Sequence, residues 1–190
     1  MSKPNYWFFK KILSIKEVKK INKLISIKKY PAEPDEYKAR NSKGEIIKFL
    51  KTYIVKLDKF KKQLNRLYQQ VLMTNRHHWG YDLFELPFEE LYGHYNIYES
   101  TTNDTYDWHV DSTKNPYVDI KLTALINLSE KQFEGGDLCM HESGDPFIVH
   151  ELKEPGSMVI MKSYIRHTVT PVKKGTRKSL TVFLEGPKFR

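Results

Sequence analysis

From residue 91 to residue 184 the chain reads as a succession of short strands, and that pattern limits the fold more than anything else in it. Leu91–Glu99, Tyr106–Asp111, Asp119–Leu128, Asp137–Met140, Pro146–His150, Ser157–Met161, His167–Pro171 and Lys178–Leu184 are rich in apolar, β-branched and aromatic residues. Turn formers separate them: Asn103-Asp104, Asn115-Pro116, Gly135-Gly136, Ser143-Gly144-Asp145, Pro155-Gly156 and Lys174-Gly175. Many short strands at this spacing predict a double-sheet jelly roll or a barrel. Before Gly80 the periodicity is helical. Ser14-Ile15-Lys16-Glu17 is a capping box, and Ile15, Val18, Ile21, Leu24 and Ile25 follow at helical spacing, predicting an amphipathic helix over 15–27. Tyr30 to Asp35, with two prolines, ends it, and 36–50 read as a polar loop. A strand is expected at Thr52–Val55, then a second helix over 59–74 capped by Asp58 and ended by His77-His78. The fold expected is α+β: one domain over 1–190, with 1–80 a mainly helical support packed outside a jelly-roll core over 81–190.

At 190 residues, with 39% hydrophobic and 29% charged residues, the chain can bury a core without disulfides. Its one cysteine, Cys139, excludes an intramolecular disulfide and a cysteine-based zinc site. No run of 18 apolar residues is present, and the opening MSKPNYWFFKKIL has no signal-peptide pattern. A cytoplasmic protein without a membrane partner is expected. The net charge of +9 is uneven: residues 1–70 hold 19 Lys/Arg against 6 Asp/Glu, and residues 71–190 hold 13 against 17. Solvated helix faces account for that run of lysines; a surface for nucleic acid or an acidic partner is the competing reading.

Chemistry concentrates at His109-Val110-Asp111. A strand points residues i and i+2 the same way, so His109 and Asp111 can reach one ion, and His167 offers a third donor. Two histidines and one carboxylate on one face of an octahedron make the usual protein site for non-haem Fe(II). Ordinary hydrogen-bonded histidines are the alternative. Beyond His167, Lys173-Lys174-Gly175-Thr176 reads as a turn that folds the strand back on itself and places Arg177 and Ser179 on one face, with Lys178 opposite. A guanidinium grips a carboxylate through two parallel hydrogen bonds and a serine can add a third; a surface arginine in a basic turn is the alternative. Tyr98 shares a face with Tyr92, not with Tyr95, and could add its hydroxyl or simply pack in the core. His141 and His150 flank one turn and form a weaker candidate for a second metal site.

These blocks together resemble a family. Tyr98, Trp108-His-Val-Asp111, Leu122 to Ser129, Phe133-Glu-Gly-Gly-Asp-Leu138, Pro155 to Ile160 and His167 to Leu180 stand in the order and spacing of the 2-oxoglutarate/Fe(II)-dependent dioxygenases, prolyl 4-hydroxylase-like branch. The resemblance covers roughly residues 70–185. It implies that His109, Asp111 and His167 hold Fe(II), that Arg177 holds the far carboxylate of 2-oxoglutarate, and that Tyr98 and Ser179 assist. Phe183 departs from the tryptophan of many relatives. The reaction implied consumes 2-oxoglutarate and O2, with ascorbate as a stimulant, and yields succinate, CO2 and a hydroxylated product. A protein or peptide substrate is expected, prolyl first, with the loops 30–50, 99–107 and 112–118 choosing it. A nucleic-acid-oxidising enzyme is ranked second, supported only by the basic first third. A cupin-like metal module is third, and the absence of any His-x-His counts against it. Oligomeric state is not legible in the sequence.

Overall fold

The computed structural model describes residues 4–28, 30–31, 39–113 and 115–189. In chain order its strands are β1 (Tyr6–Phe9), β2 (Tyr30–Pro31), β3 (Lys48–Phe49), β4 (Lys51–Lys56), β5 (Tyr92–Glu99), β6 (Thr105–His109), β7 (Val118–Asn127), β8 (Glu134–Gly135), β9 (Leu138–His141), β10 (Phe147–Ile148), β11 (Met158–Lys162), β12 (Arg166–Val169), β13 (Val172–Lys174) and β14 (Thr176–Pro187), with helices α1 (Ile15–Lys28) and α2 (Lys61–Thr74). A larger sheet runs β1-β11-β7-β14-β5-β4-β2 and a smaller one β10-β9-β12-β6-β3; β13 pairs with β8 apart from both.

Side-chain alternation divides the apolar residues between two cores. Leu125, Val159 and Met161 of the larger sheet meet Leu138, Met140 and Val169 of the smaller sheet. On the opposite face of the larger sheet, Ala124, Ile126, Leu180, Val182 and Leu184 share a cluster with Val18, Ile21 and Ile25 of α1 and Leu64, Leu67 and Val71 of α2. Val18, Ile21 and Ile25 of the α1 stripe are therefore buried and Leu24 is half-buried against them, while Ile15 at the start of the helix and Lys16, Lys19, Lys20 and Lys23 are exposed. Its start is the capping box: the Ser14 N–H donates to Glu17 Oε2 at 2.8 Å, and the Glu17 N–H donates to Ser14 Oγ at 3.3 Å.

The first eighty residues contain the strand expected at Thr52–Val55, which is β4, but they also supply strands that were not expected. The aromatic segment Tyr6–Phe9 is an edge strand antiparallel to β11, and β3, inside the stretch expected to be loop, pairs with β6. Much of the expected break after α1, residues 32–38, lies outside the described residues. Asp58 makes no cap for the second helix. A 3-10 turn, Leu57–Phe60, leads into α2, whose N-cap is Phe60 with no side-chain cap hydrogen bond. The end is as expected: His77 and His78 lie in a π turn, Asn75–Trp79, closed by Gly80 at φ 68°.

Four smaller corrections concern the core strands. β6 stops at His109, so Asp111 lies just past the strand end, tied down by its N–H to the Ser163 carbonyl at 3.0 Å. The strand expected at 146–150 is only Phe147–Ile148, followed by a 3-10 turn over His150–Leu152. The strand of His167 ends at Val169, before Pro171. Nor does it fold back on itself, because β12 belongs to the smaller sheet and β14 to the larger. The intervening β13, Val172–Lys174, carries the chain between sheets, and Gly175 at φ 79° makes the last bend.

Candidate metal centre and its cavity

The smaller sheet assembles the centre. His109 on β6 and His167 on β12 are directly opposite one another in the antiparallel ladder, and their ring centroids are 4.2 Å apart. Asp111 faces both. Its Oδ1 is 3.7 Å from His109 Nε2 and its Oδ2 is 3.6 Å from His167 Nε2. One donor atom from each of the three lies within 4.8 Å of the others, the only such group of three or more among the described residues. His141 is no part of a second cluster; its Nε2 is 3.0 Å from the Gly144 carbonyl.

The surroundings set the protonation of each donor. His109 Nδ1 lies 2.7 Å from the Asp107 carbonyl and His167 Nδ1 lies 2.8 Å from the Ile165 carbonyl. A carbonyl can only accept, so each Nδ1 carries the proton and each Nε2 presents a lone pair to the centre. Burial pushes the His109 imidazole down to about 3, with His167 a further cause. The ring is thus neutral at physiological pH, the form that binds a metal. Thr123 Oγ1 donates to Asp111 Oδ2 at 2.6 Å. Burial raises the Asp111 carboxyl above its ordinary range, an effect that a divalent cation beside it would reverse. Two inward-turned Nε2 atoms and one oriented carboxylate therefore fit Fe(II) with one face left open.

The centre opens into a cavity of about 540 Å³. One wall is the inner face of β5 and β14, where His94, Asn96 and Tyr98 stand opposite Thr181, Ser179 and Arg177 in register. Tyr98 reaches the cavity, whereas Arg177 and Ser179 are buried beside it and do not line it. The Arg177 guanidinium lies 4.8 Å over the Tyr98 ring and its Nη1 donates to Ser179 Oγ at 3.2 Å. Lys178 points to the other face, its Nζ 3.9 Å from Glu130. Tyr95, on the opposite side of β5, donates its hydroxyl to Asn22 at 3.0 Å. Tyr92 shares the side of Tyr98 but is 56% exposed, so of the three only Tyr98 lines the cavity.

Several residues of the cavity carry no signal in the sequence. Tyr106 stacks on His109 at 3.5 Å between centroids, with the planes 11° apart. Asn96 accepts from Thr52 Oγ1 at 2.8 Å and donates to Thr181 Oγ1 at 3.2 Å. Lys48 enters from β3, and burial lowers its ammonium to about 8. His94 meets Phe183 edge-on at 5.1 Å, so the residue standing in for tryptophan is part of the wall. Only their long-range pairing brings these residues together.

Burial holds His94 down to about 4, with Lys48 as a second cause. The sign follows directly. The unfolded chain binds a proton near pH 6.5 and the folded chain only near 4, so stability is lost as the pH falls through that window. His94→Gln should flatten this loss by on the order of 2 kcal/mol between pH 7 and 4. Urea unfolding of the metal-free protein at several pH values measures it; a variant whose curve runs parallel to the parent would contradict the burial argument.

Fold and site together define a jelly-roll oxygenase domain built for a two-histidine, one-carboxylate iron. Residues 93–185, just under half of the chain, match the family model of the 2OG-Fe(II) oxygenase superfamily, so this region, which holds the three candidate ligands, is similar to those oxygenases. A PKHD-type hydroxylase, YbiX of Escherichia coli, is 33% identical over 98 residues; the match spans 48% of this chain and 41% of that protein. The chain thus matches less than half the length of that relative. Among solved structures, a Pseudomonas putida prolyl-4-hydroxylase superposes with a TM-score of 0.69 at 18% identity, covering 97% of this chain and 94% of that one. A Trichoplax adhaerens prolyl hydroxylase in complex with a hypoxia inducible factor peptide gives 0.64 at 14% identity, over 95% and 83% of the two chains. The family implies Fe(II), 2-oxoglutarate and O2 as cofactor and co-substrates.

Proposed function

We propose that this chain is a 2-oxoglutarate- and O2-dependent Fe(II) hydroxylase acting on a peptidyl residue, prolyl first, in the cytoplasm. The observation that carries the proposal is the convergence of two Nε2 lone pairs and one carboxylate at the end of a cavity large enough for a co-substrate and a side chain. Bound Fe(II) would supply the oxidising chemistry, with 2-oxoglutarate leaving as succinate and CO2 and one oxygen atom passing to a substrate C–H. The protein's own work is positional. The Asp107 and Ile165 carbonyls fix the two imidazoles, Thr123 fixes the carboxylate, and the hydrophobic wall of Leu125, Val169 and Phe183 limits water. Arg177 and Ser179, buried behind Tyr98 at one end of the β5–β14 wall, are the polar groups toward which the far carboxylate of 2-oxoglutarate would be directed past the Tyr98 side chain.

A peptide substrate is supported by two of the solved neighbours, which are prolyl hydroxylases, one of them in complex with a peptide. Nucleic acid stays second, because the exposed lysines of α1 lie on a helix packed against the outer face of the larger sheet, opposite the cavity wall. Among the described residues no helix is long and apolar enough to cross a membrane. Anaerobic titration with Fe(II) tests the reading. A weak visible charge-transfer band should appear only when Fe(II) and 2-oxoglutarate are both present. A protein that binds Fe(II) and gives no band with 2-oxoglutarate would instead be a cupin-like metal module.

A further inference from the structure

Lys48 is a half-buried cation without an ion-pair partner among the described residues, in a cavity that the reaction must use. It lines the same cavity as the metal centre. Among the described residues its ammonium forms no ion pair or hydrogen bond, and its specific contact there is a long one, 5.7 Å from the Tyr106 ring centroid. Among the described residues the only carboxylate lining the cavity is Asp111, which the metal would claim, and the other charged lining residue is Arg40, also a cation. An ammonium taken out of water is costly unless an anion meets it.

Position separates Lys48 from the co-substrate end. Arg177 is paired with Tyr98, whereas Lys48 acts electrostatically on Asp111 and His109 of the metal centre and on His94, four residues back from Tyr98 along β5. At roughly 3.3 Å per residue that is about 13 Å of strand. Charge points the same way. A divalent iron with the Asp111 carboxylate leaves one positive charge, and Arg177 adds another. The two carboxylates of 2-oxoglutarate balance both. The charge of Lys48 is left over.

We infer that Lys48, with Arg40 at the rim, is a specificity-determining pair that receives a carboxylate of the substrate, so that the hydroxylated residue lies next to an acidic side chain. This rests on the hydroxylase reading above, and the test keeps the two apart. The full chain, loaded with Zn(II) and 2-oxoglutarate so that no turnover occurs, is titrated calorimetrically with capped peptides carrying one central proline. One set places Glu at each of the two positions before and after it, and the matched set has Gln. At least one Glu peptide should bind about tenfold or more tighter than its Gln match. Lys48→Met should abolish the difference, Lys48→Arg should keep most of it, and Lys48→Glu should favour Lys peptides. Affinity for 2-oxoglutarate should stay within about twofold in Lys48→Met, which also reports that the variant is folded. No Glu preference in the parent, or no measurable binding, overturns the inference. So does a preference that survives Lys48→Met, or a loss of 2-oxoglutarate affinity in that variant as large as in Arg177→Ala. In parallel, the Fe(II) enzyme is assayed for a product about 16 Da heavier on the same peptides. Charge-selective binding without that product sinks the prolyl reading and leaves Lys48 standing; the product without charge selection does the reverse.

Discussion

Asp111→Ala and His167→Ala should each reduce 2-oxoglutarate turnover by far more than 100-fold while leaving the protein folded. Both halves follow from the geometry. Two remaining donors hold Fe(II) too weakly for use, and no other group of ligands stands nearby among the described residues. The fold survives because the cavity, not the core, loses contacts: removing a buried carboxylate whose burial already disfavours its charged form leaves no unpaired charge behind. Thr123→Val grades the effect. It removes only the hydroxyl that donates to Asp111 Oδ2, and loss of such an outer contact typically costs about 10- to 100-fold in metal affinity or activity. Succinate release and Fe(II) affinity, measured with circular dichroism on the same samples, check the order. Succinate at the parent rate from either alanine variant would remove the metal assignment.

Arg177→Ala should raise the apparent KM for 2-oxoglutarate by about 30- to 1000-fold, with a much smaller change in Fe(II) affinity. A charge-assisted, two-pronged contact is worth roughly 2–4 kcal/mol, and that range sets the factor. Because Arg177 is fully packed against Tyr98 and Ser179, the alanine also opens a hole, so Arg177→Lys is the companion variant: it keeps the charge, loses the fork, and should fall between parent and alanine. Tyr98→Phe removes one hydroxyl and should shift KM by less than Arg177→Ala. Lys178→Ala, on the opposite face beside Glu130, should be silent. A sensitive Lys178 and a silent Arg177 would mean that the register of β14 against β5 is misplaced.

The register of Arg177 and Ser179, with Lys178 turned away, was legible in the sequence, though not for the reason first apparent. Alternation along one strand is local and survived. The expected hairpin from His167 was not local, and the chain instead changes sheets through β13. The same division holds elsewhere. The capping box of α1 depends on four consecutive residues and is there. Asp58 looked like a cap, but the chain enters α2 through a 3-10 turn, which tertiary packing of Leu57 and Phe60 imposes. His109, Asp111 and His167 were legible because ligand chemistry restricts residue type. Lys48, His94, Asn96 and Tyr106 were not, because lysine, asparagine and tyrosine are common in this chain and only pairing across β3, β5 and β6 gathers them at one place. β1 was invisible for a related reason: four residues with two exposed and two half-buried carry no alternation strong enough to read.

That first strand sets a timetable for folding. Tyr6 lies opposite Met161, and Phe9 opposite Met158, so the two sides of the pairing are about 150 residues apart in the chain. Nearby contacts repeat the arrangement: the Lys162 ammonium donates to Asn5 at 2.7 Å and the Leu13 N–H donates to the Gly156 carbonyl at 3.0 Å. During synthesis the first strand leaves the ribosome early and must wait for Met158–Lys162, the fully buried run MVIMK. Until then the aromatic segment has no sheet to join, and afterwards it shields the open side of a strand that would otherwise template intermolecular pairing. Closure of the larger sheet on this side is thus a late event, and the interval before it is when the chain is most exposed to aggregation.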